Sequence, residues 1–238
     1  MPTVEALKRK YYPDDSKDGT LIFYDWLRRY TRNDFTVLNI GAGPTADRKI
    51  KSLKGEVKRV VGIDIDKAVL ENEDLDAAMV IEKNKFPFGD EYFDLAWADY
   101  VMEHVEDPKG FLKEVNRVLK PGASFFFRTP NKYHYVSFIG RMTPHWFHER
   151  VANRARGLAS DAHEPYPTYY RLNCGKEITG RARSAGFKLV ELKFVEAEPS
   201  YLVFNPIAFR IGVAYERFVN RYDGLQGLRS NIFGRLEK

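Results

Sequence analysis

A single cysteine, Cys174, occurs in 238 residues, so no internal disulfide can form and a reducing compartment is the expected setting. No apolar run approaches the ~20 residues needed to cross a bilayer. The opening Met1-Pro2-Thr3-Val4-Glu5 lacks the apolar core of a secretory signal. A cytoplasmic protein, at most peripheral to a membrane, is therefore expected. Internal repeats and low-complexity stretches are lacking as well. Charge of one sign is scarce: 38 Lys and Arg against 33 Asp and Glu leave a formal +5. So mild an excess fits an anionic substrate, RNA or a membrane surface and singles out none of them. The remaining composition, 44% hydrophobic and 30% charged, is that of a soluble globular chain. Its length suits one sizeable domain with additions better than two independent cores.

From about residue 36 to residue 129, short apolar runs alternate with amphipathic segments. Strands are expected at 35–40, 58–63, 77–81, 93–98 and 124–128. Asp107-Pro108 opens a helix with Phe111, Leu112, Val115, Val118 and Leu119 at helical spacing, and Lys120-Pro121-Gly122 stops it. Strands alternating with helices imply parallel pairing and right-handed crossovers. The fold class expected is α/β: a Rossmann-like, doubly wound, mostly parallel sheet with a terminal antiparallel strand and helices on both faces. After Asn131 the alternation lapses into a stretch, 132–172, rich in His, Tyr, Arg and Pro. Regular structure resumes with a helix near 174–185 and a strand at 187–195. Tyr201-Leu202-Val203-Phe204 reads as the antiparallel strand. The first 34 residues carry one convincing helix, near 21–30, after a polar start.

The turn Gly41-Ala42-Gly43 after the first strand falls where an open α/β sheet binds ligands, beyond the carboxyl ends of its strands. Glycines there permit unusual backbone angles and remove the Cβ atoms that would block a ligand. A helix is expected to follow, offering free N–H groups to an anionic group. Asp64 ends the second strand 21 positions after Gly43, near the ~20-residue offset of an acid that holds ribose hydroxyls. The pair points to a nucleoside cofactor. Ala46, in the third position of a G-x-G-x-x-G pattern, leaves open whether that cofactor is a dinucleotide.

Three segments occur in order: Val37-Leu38-Asn39-Ile40-Gly41-Ala42-Gly43, Gly62-Ile63-Asp64-Ile65-Asp66 and Phe86-Pro87-Phe88-Gly89-Asp90-Glu91-Tyr92-Phe93-Asp94. Glu103-His104-Val105-Glu106-Asp107-Pro108 and Val118-Leu119-Lys120-Pro121-Gly122 follow. This series resembles class I S-adenosylmethionine-dependent methyltransferases, in particular the ubiquinone and menaquinone methyltransferase branch, over about residues 36–131. The resemblance implies that S-adenosylmethionine is the cofactor. It places Gly41, Ala42 and Gly43 under the methionine moiety, Asp64 on the ribose hydroxyls and Ile65 against adenine. Glu82, Lys83 and Asn84 would border the adenine edge, although Glu82 stands where Asp or Asn is usual. Asp99 and Tyr100 would face the methionine end, with Tyr100 either near the sulfonium, a cation–π arrangement, or plugging the strand end. His104 is a candidate general base, with packing or capping as the alternative.

On these grounds the chain divides into an N-terminal helical or lid segment (1–35), a methyltransferase domain (36–205) with a substrate-side insertion (132–172), and a C-terminal amphipathic helix and tail (206–238). His134, His145, His148 and Tyr169 are the substrate-side candidates in or beside an aromatic-rich lid. His145-x-x-His148-Glu149 is too unspecific a spacing to imply a metal, and none is expected. In 206–222, Arg210, Arg217 and Arg221 form one stripe beside apolar residues, which suits a membrane surface, packing on the domain or a dimer interface. The partner expected is a small-molecule acceptor, lipid-linked or sugar. DNA is not expected, and RNA stays second because no RNA-binding module is recognisable. A non-catalytic protein retaining the fold is a third reading, and the chain is expected to be a monomer or homodimer.

Overall fold

The computed structural model describes residues 2–142 and 166–238. Its strands are β1 (Thr36–Ile40), β2 (Arg59–Asp64), β3 (Ala77–Val80), β4 (Phe93–Asp99), β5 (Leu119–Pro130), β6 (Lys188–Val195) and β7 (Asn231–Glu237). They form one sheet in the order β3-β2-β1-β4-β5-β7-β6. β1 pairs in parallel with both β2 and β4, β2 with β3, and β4 with β5. Strand order therefore reverses between β1 and β4. The central strands are apolar along their length because both faces are covered, and Phe125, Phe126 and Phe127 are all fully buried.

The antiparallel strand is β7, not Tyr201–Phe204. Hydrogen bonds join Lys238 to Gly122 and Ala123 near the start of β5, and Ser230 to Asn131 at its end, so the two strands run in opposite directions. Gly234 lets β7 come close to β5, since a Cβ there would lie 2.0 Å from the ring of Phe127. Tyr201–Phe204 instead holds a short 3-10 turn, Ser200–Leu202. Pro206 cannot continue a strand ladder but fits the first turn of a helix, and Asn205 caps that turn. Residues 231–237, expected as part of a tail, thus belong to the sheet.

The helices are α1 (Val4–Tyr11), α2 (Gly19–Arg28), α3 (Pro108–Val118), α4 (Tyr135–Met142), α5 (Gly175–Ser184) and α6 (Pro206–Arg221). α3 starts where Asp107 accepts the Lys109 N–H and buries Phe111, Leu112, Val115 and Val118. α1 falls in the stretch read as a polar start; Thr3 caps it and only Leu7 is buried.

The helix expected after Gly41-Ala42-Gly43 is missing. Residues 44–58 contain one 3-10 turn, Lys49–Lys51, and between Pro44 and Ser52 only Ile50 is a large apolar residue. Such a segment has no apolar stripe to bury, and a helix there would lack tertiary support.

Two compact units are distinguishable. One comprises residues 23–129, 168–193 and 232–238 and holds most of the sheet. The other comprises 2–22, 130–142, 166–167 and 194–231. These groupings interleave along the chain, unlike the contiguous blocks 1–35, 36–205 and 206–238, because the last strand returns to the sheet. The second unit has its own small core of Leu7, Phe209 and Val213, with Val4, Tyr11, Tyr12 and Val203 packed on it.

Candidate functional site

In the sheet unit, the carboxyl ends of β1, β2 and β4 bring together Gly41–Gly43, Asp64, Ile65, Asp99 and Tyr100. The Gly41 and Ala42 amides donate to the Ile63 carbonyl at 2.8 and 3.2 Å. The Gly43 amide donates to Asp64 Oδ2 at 2.9 Å, and the Asp66 amide to Asp64 Oδ1 at 2.9 Å. Gly41 and Gly43 have φ of +71° and +56°, a region that suits glycine. At Gly41 there is a further constraint, since a Cβ would lie 2.3 Å from Val101 Cγ2.

With no helix behind it, the loop is held by the segment after the Lys67–Glu71 turn. Asn72 Nδ2 lies within hydrogen-bond distance of the carbonyls of Ala42, Gly43 and Pro44, at 3.2, 3.0 and 3.1 Å. Asp74 accepts from the Ala46 amide, and Thr45 accepts from the Glu73 amide and donates to the Glu71 carbonyl. The buried Asn72 therefore ties down the loop where no helix follows it. Nothing in its local sequence signals this.

Around these groups the remaining candidates take different positions. Ile65 is 53% exposed at the end of β2, an apolar side chain left in the open beside Asp64. Glu82, Lys83 and Asn84 lie in a tight turn closed by the Lys85 amide on the Glu82 carbonyl, with Lys83 at φ +45°. That turn is tied to the loop after β4 by the Lys83–Glu106 ion pair, 2.9 Å, and by Asn84 Nδ2 on the Asp107 carbonyl.

Asp99 is engaged by an unexpected partner. Arg128, buried on β5, donates to both of its oxygens at 2.6 Å and stacks on the rings of Tyr100 (4.4 Å) and Phe23 (5.3 Å). A cation thus already occupies one face of Tyr100. The backbone of Tyr100 sits at φ +58° with its amide on the Arg128 carbonyl. A non-glycine residue in that region is strained, and such strain is concentrated at functional turns. Burial, followed by the nearby Asp99 charge, pushes the Tyr24 hydroxyl well above the ordinary tyrosine range.

His104 ends a 3-10 turn, Met102–His104, and remains partly exposed with Nε2 4.0 Å from Glu103 Oε1. Glu103 itself was not singled out by the sequence, although it precedes His104. Its side chain is buried, and burial pushes its carboxyl up to about 7 against the lowering effect of the Thr129 hydroxyl, which donates to Oε2 at 3.1 Å. Asn173 donates in turn to Thr129 at 2.7 Å. The Glu103 carbonyl accepts the amides of Tyr169 and Tyr170, which brings the substrate-side candidate Tyr169 beside the loop after β4.

His134 lies in the other unit. It is 3% exposed, with Nε2 3.4 Å from Glu196 Oε1 and its ring against Tyr135 and Tyr215. This packing role is one that a lone histidine in a sequence does not reveal. His145 and His148 lie outside the described residues. Among the described residues, no three His, Cys, Asp or Glu side chains converge as metal ligands.

An open parallel sheet whose order reverses between β1 and β4, with a glycine turn and a strand-end carboxylate at that reversal, defines the Rossmann-like nucleoside-binding class. Residues 38–127 of the chain match the family described as "Methyltransferase domain". Over 143 residues it is 30% identical to the ubiquinone biosynthesis O-methyltransferase of Pseudomonas syringae pv. tomato, a match covering 54% of this chain and 61% of that protein. A solved S-adenosylmethionine-dependent methyltransferase from Archaeoglobus fulgidus superposes with a TM-score of 0.58 at 14% identity, covering 98% of each chain. The geranyl diphosphate C-methyltransferase of Streptomyces coelicolor A3(2) gives 0.56 at 13% identity, over 90% of this chain and 76% of that one. At such identities the two structures speak for the fold.

Proposed function

We propose that this chain methylates a small-molecule acceptor, lipid-linked or sugar, with S-adenosylmethionine as donor. The observation that carries this reading is the hydrogen bond from the Gly43 amide to Asp64 at the sheet reversal, inside the stretch that matches the methyltransferase domain. The residues present suit the cofactor. A Cβ built on Gly43 would meet nothing within 4 Å, which leaves the backbone open to close approach. Each Asp64 oxygen accepts one backbone amide and retains a second lone pair for a ribose hydroxyl. The exposed Ile65 side chain offers adenine an apolar surface.

When bound, S-adenosylmethionine supplies an electrophilic methyl group on a sulfonium. The protein's work is then largely positioning and the exclusion of water. Asp64 holds the ribose, and the Glu82–Asn84 turn borders the adenine edge. Asp99, fixed by Arg128, and the strained Tyr100 shape the methionine end. His104, partly exposed beside Glu103, is the group that takes a proton where the acceptor must lose one.

Incubation with methyl-labelled S-adenosylmethionine and separate pools of polyprenylated phenols, nucleotide sugars and total RNA tests the reading. Label in a small-molecule pool, with S-adenosylhomocysteine released in equal amount, is the expected result. Label confined to RNA would transfer the assignment to an RNA methyltransferase. Cofactor binding without transfer to any pool would favour a non-catalytic protein retaining the fold.

A further inference from the structure

Within the second unit, α6 presents two surfaces of opposite character. Phe209, Gly212, Val213, Glu216 and Val219 face inward and are buried. Gly212 lets the helix seat closely, since a Cβ there would lie 2.6 Å from Pro199. On the other side Phe204, Ile207, Ile211, Phe218 and Tyr222 are each 49–63% exposed. At 100° per residue the three within the helix, Ile207, Ile211 and Phe218, share one sector of roughly 40°, and Phe204 and Tyr222 lie just beyond the helix's two ends. Arg210, Arg217 and Arg221, also exposed, occupy the sector directly beside it. Glu216 is the helix's one acidic residue; it is buried and paired with Lys17 at 3.1 Å. α4 touches the far border of the apolar stripe through Tyr135 on Tyr215, 4.9 Å between ring centres, and its Phe138 is exposed too.

We propose that this face of α6 seats the protein on an anionic lipid surface, with the helix lying in the plane of the membrane. Singly exposed apolar residues are ordinary, but three on one helix stripe, with a further large one beyond each end and arginines alongside, are not. The two neighbouring stripes match a membrane boundary, where acyl chains lie next to anionic headgroups and arginine stems can reach between them. A second copy packed α6 against α6 fits the surface poorly, because that helix would bring arginines and no exposed acid of its own to meet these arginines. Sixteen residues span about 24 Å as a helix, and no described helix is long and apolar enough to cross a bilayer. The inference depends on this surface alone and not on methyl transfer, so the two readings fail separately.

Flotation of the full chain with phosphatidylcholine vesicles, with and without 30 mol% phosphatidylglycerol, provides the test. The protein is expected to float with the anionic vesicles and stay behind with the neutral ones. Arg210→Glu/Arg217→Glu/Arg221→Glu is expected to weaken partitioning by at least on the order of a hundredfold, at about fivefold per basic residue. Ile211→Glu/Phe218→Glu is expected to abolish it. Ile211→Trp, which keeps the surface apolar, should show emission quenched by brominated acyl chains. Failure of the unaltered chain to float, equal flotation of the charge variant, or unquenched emission from the introduced tryptophan would each overturn the proposal. A dimer in sedimentation that Ile211→Glu/Phe218→Glu dissolves, with no flotation, would assign the face to a second copy instead.

Discussion

The Gly43 amide and the Asp64 carboxylate, 21 residues apart in sequence, meet at 2.9 Å across the carboxyl ends of β1 and β2. One acid thus braces the turn, and in the proposed function the same acid accepts the ribose hydroxyls of the cofactor. The turn has little other support from its own neighbourhood, because no helix follows it. Its stability is supplied by Asn72 and Asp74.

Asn72→Ala should therefore loosen the loop at a distance. Removing the amide leaves the Ala42, Gly43 and Pro44 carbonyls without this donor, a loss of about 1–3 kcal/mol. A lowered urea midpoint together with weaker S-adenosylmethionine binding is expected. Loss of stability with unchanged affinity would mean that the clamp does not shape the site.

Gly41→Ala is expected to destabilise the fold for two separable reasons, the positive φ and the 2.3 Å approach to Val101 Cγ2. Adding Val101→Ala relieves the second and not the first. Thermal unfolding should show the double variant more stable than Gly41→Ala alone, yet still below the unaltered protein. No recovery at all would place the whole cost in the backbone angle.

Arg128 is buried and Asp99 largely so, and cutting one partner should therefore cost more than removing both. Asp99→Asn leaves the Arg128 guanidinium without a counter-charge at that position, a penalty of roughly 3–5 kcal/mol for broken buried pairs. Arg128→Met together with Asp99→Asn is expected to recover a large part of it. Chemical denaturation of the three variants decides the matter, and additive losses would contradict the coupling.

Glu103 gives the protein a specific response to pH. Its carboxyl is pushed up to about 7 when folded, from an ordinary value of 4.5 when exposed. Between those values the folded state holds a proton that the unfolded state has lost, so stability falls as pH rises through this window and the loss is complete above about 7. The full loss approaches roughly 3 kcal/mol. Glu103→Gln keeps a neutral hydrogen-bonding group and should remove this slope, melting relatively higher than the unaltered protein at pH 8 and no higher at pH 5. An unchanged slope would show that Glu103 is not the responsible group.

How much was legible in the chain follows from how local each signal is. β1, β2 and β4 announce themselves as buried apolar runs, and Gly41, Gly43 and Asp64 as a spacing within one strand–turn–strand unit. β7 was hidden because Asn231–Glu237 is a short stretch without clear alternation, grouped with the tail until Phe127 and Lys238's partners on β5 are known. Tyr201–Phe204 misled in the other direction: strand-forming side chains were overridden by Pro206 and the Asn205 cap. Asn72, Arg128 and Glu103 act through contacts made about 26 to 30 residues away. No periodicity or short motif encodes such contacts.

The central claim is that the Gly41–Gly43 turn and Asp64 form an S-adenosylmethionine site. Calorimetric titration of the full chain with S-adenosylmethionine, alongside a nicotinamide dinucleotide and the Asp64→Ala variant, tests it most directly. Saturable one-to-one binding of S-adenosylmethionine alone, lost in a still-folded Asp64→Ala, is the predicted result. Binding of the dinucleotide instead, or unchanged S-adenosylmethionine affinity in Asp64→Ala, would contradict the claim.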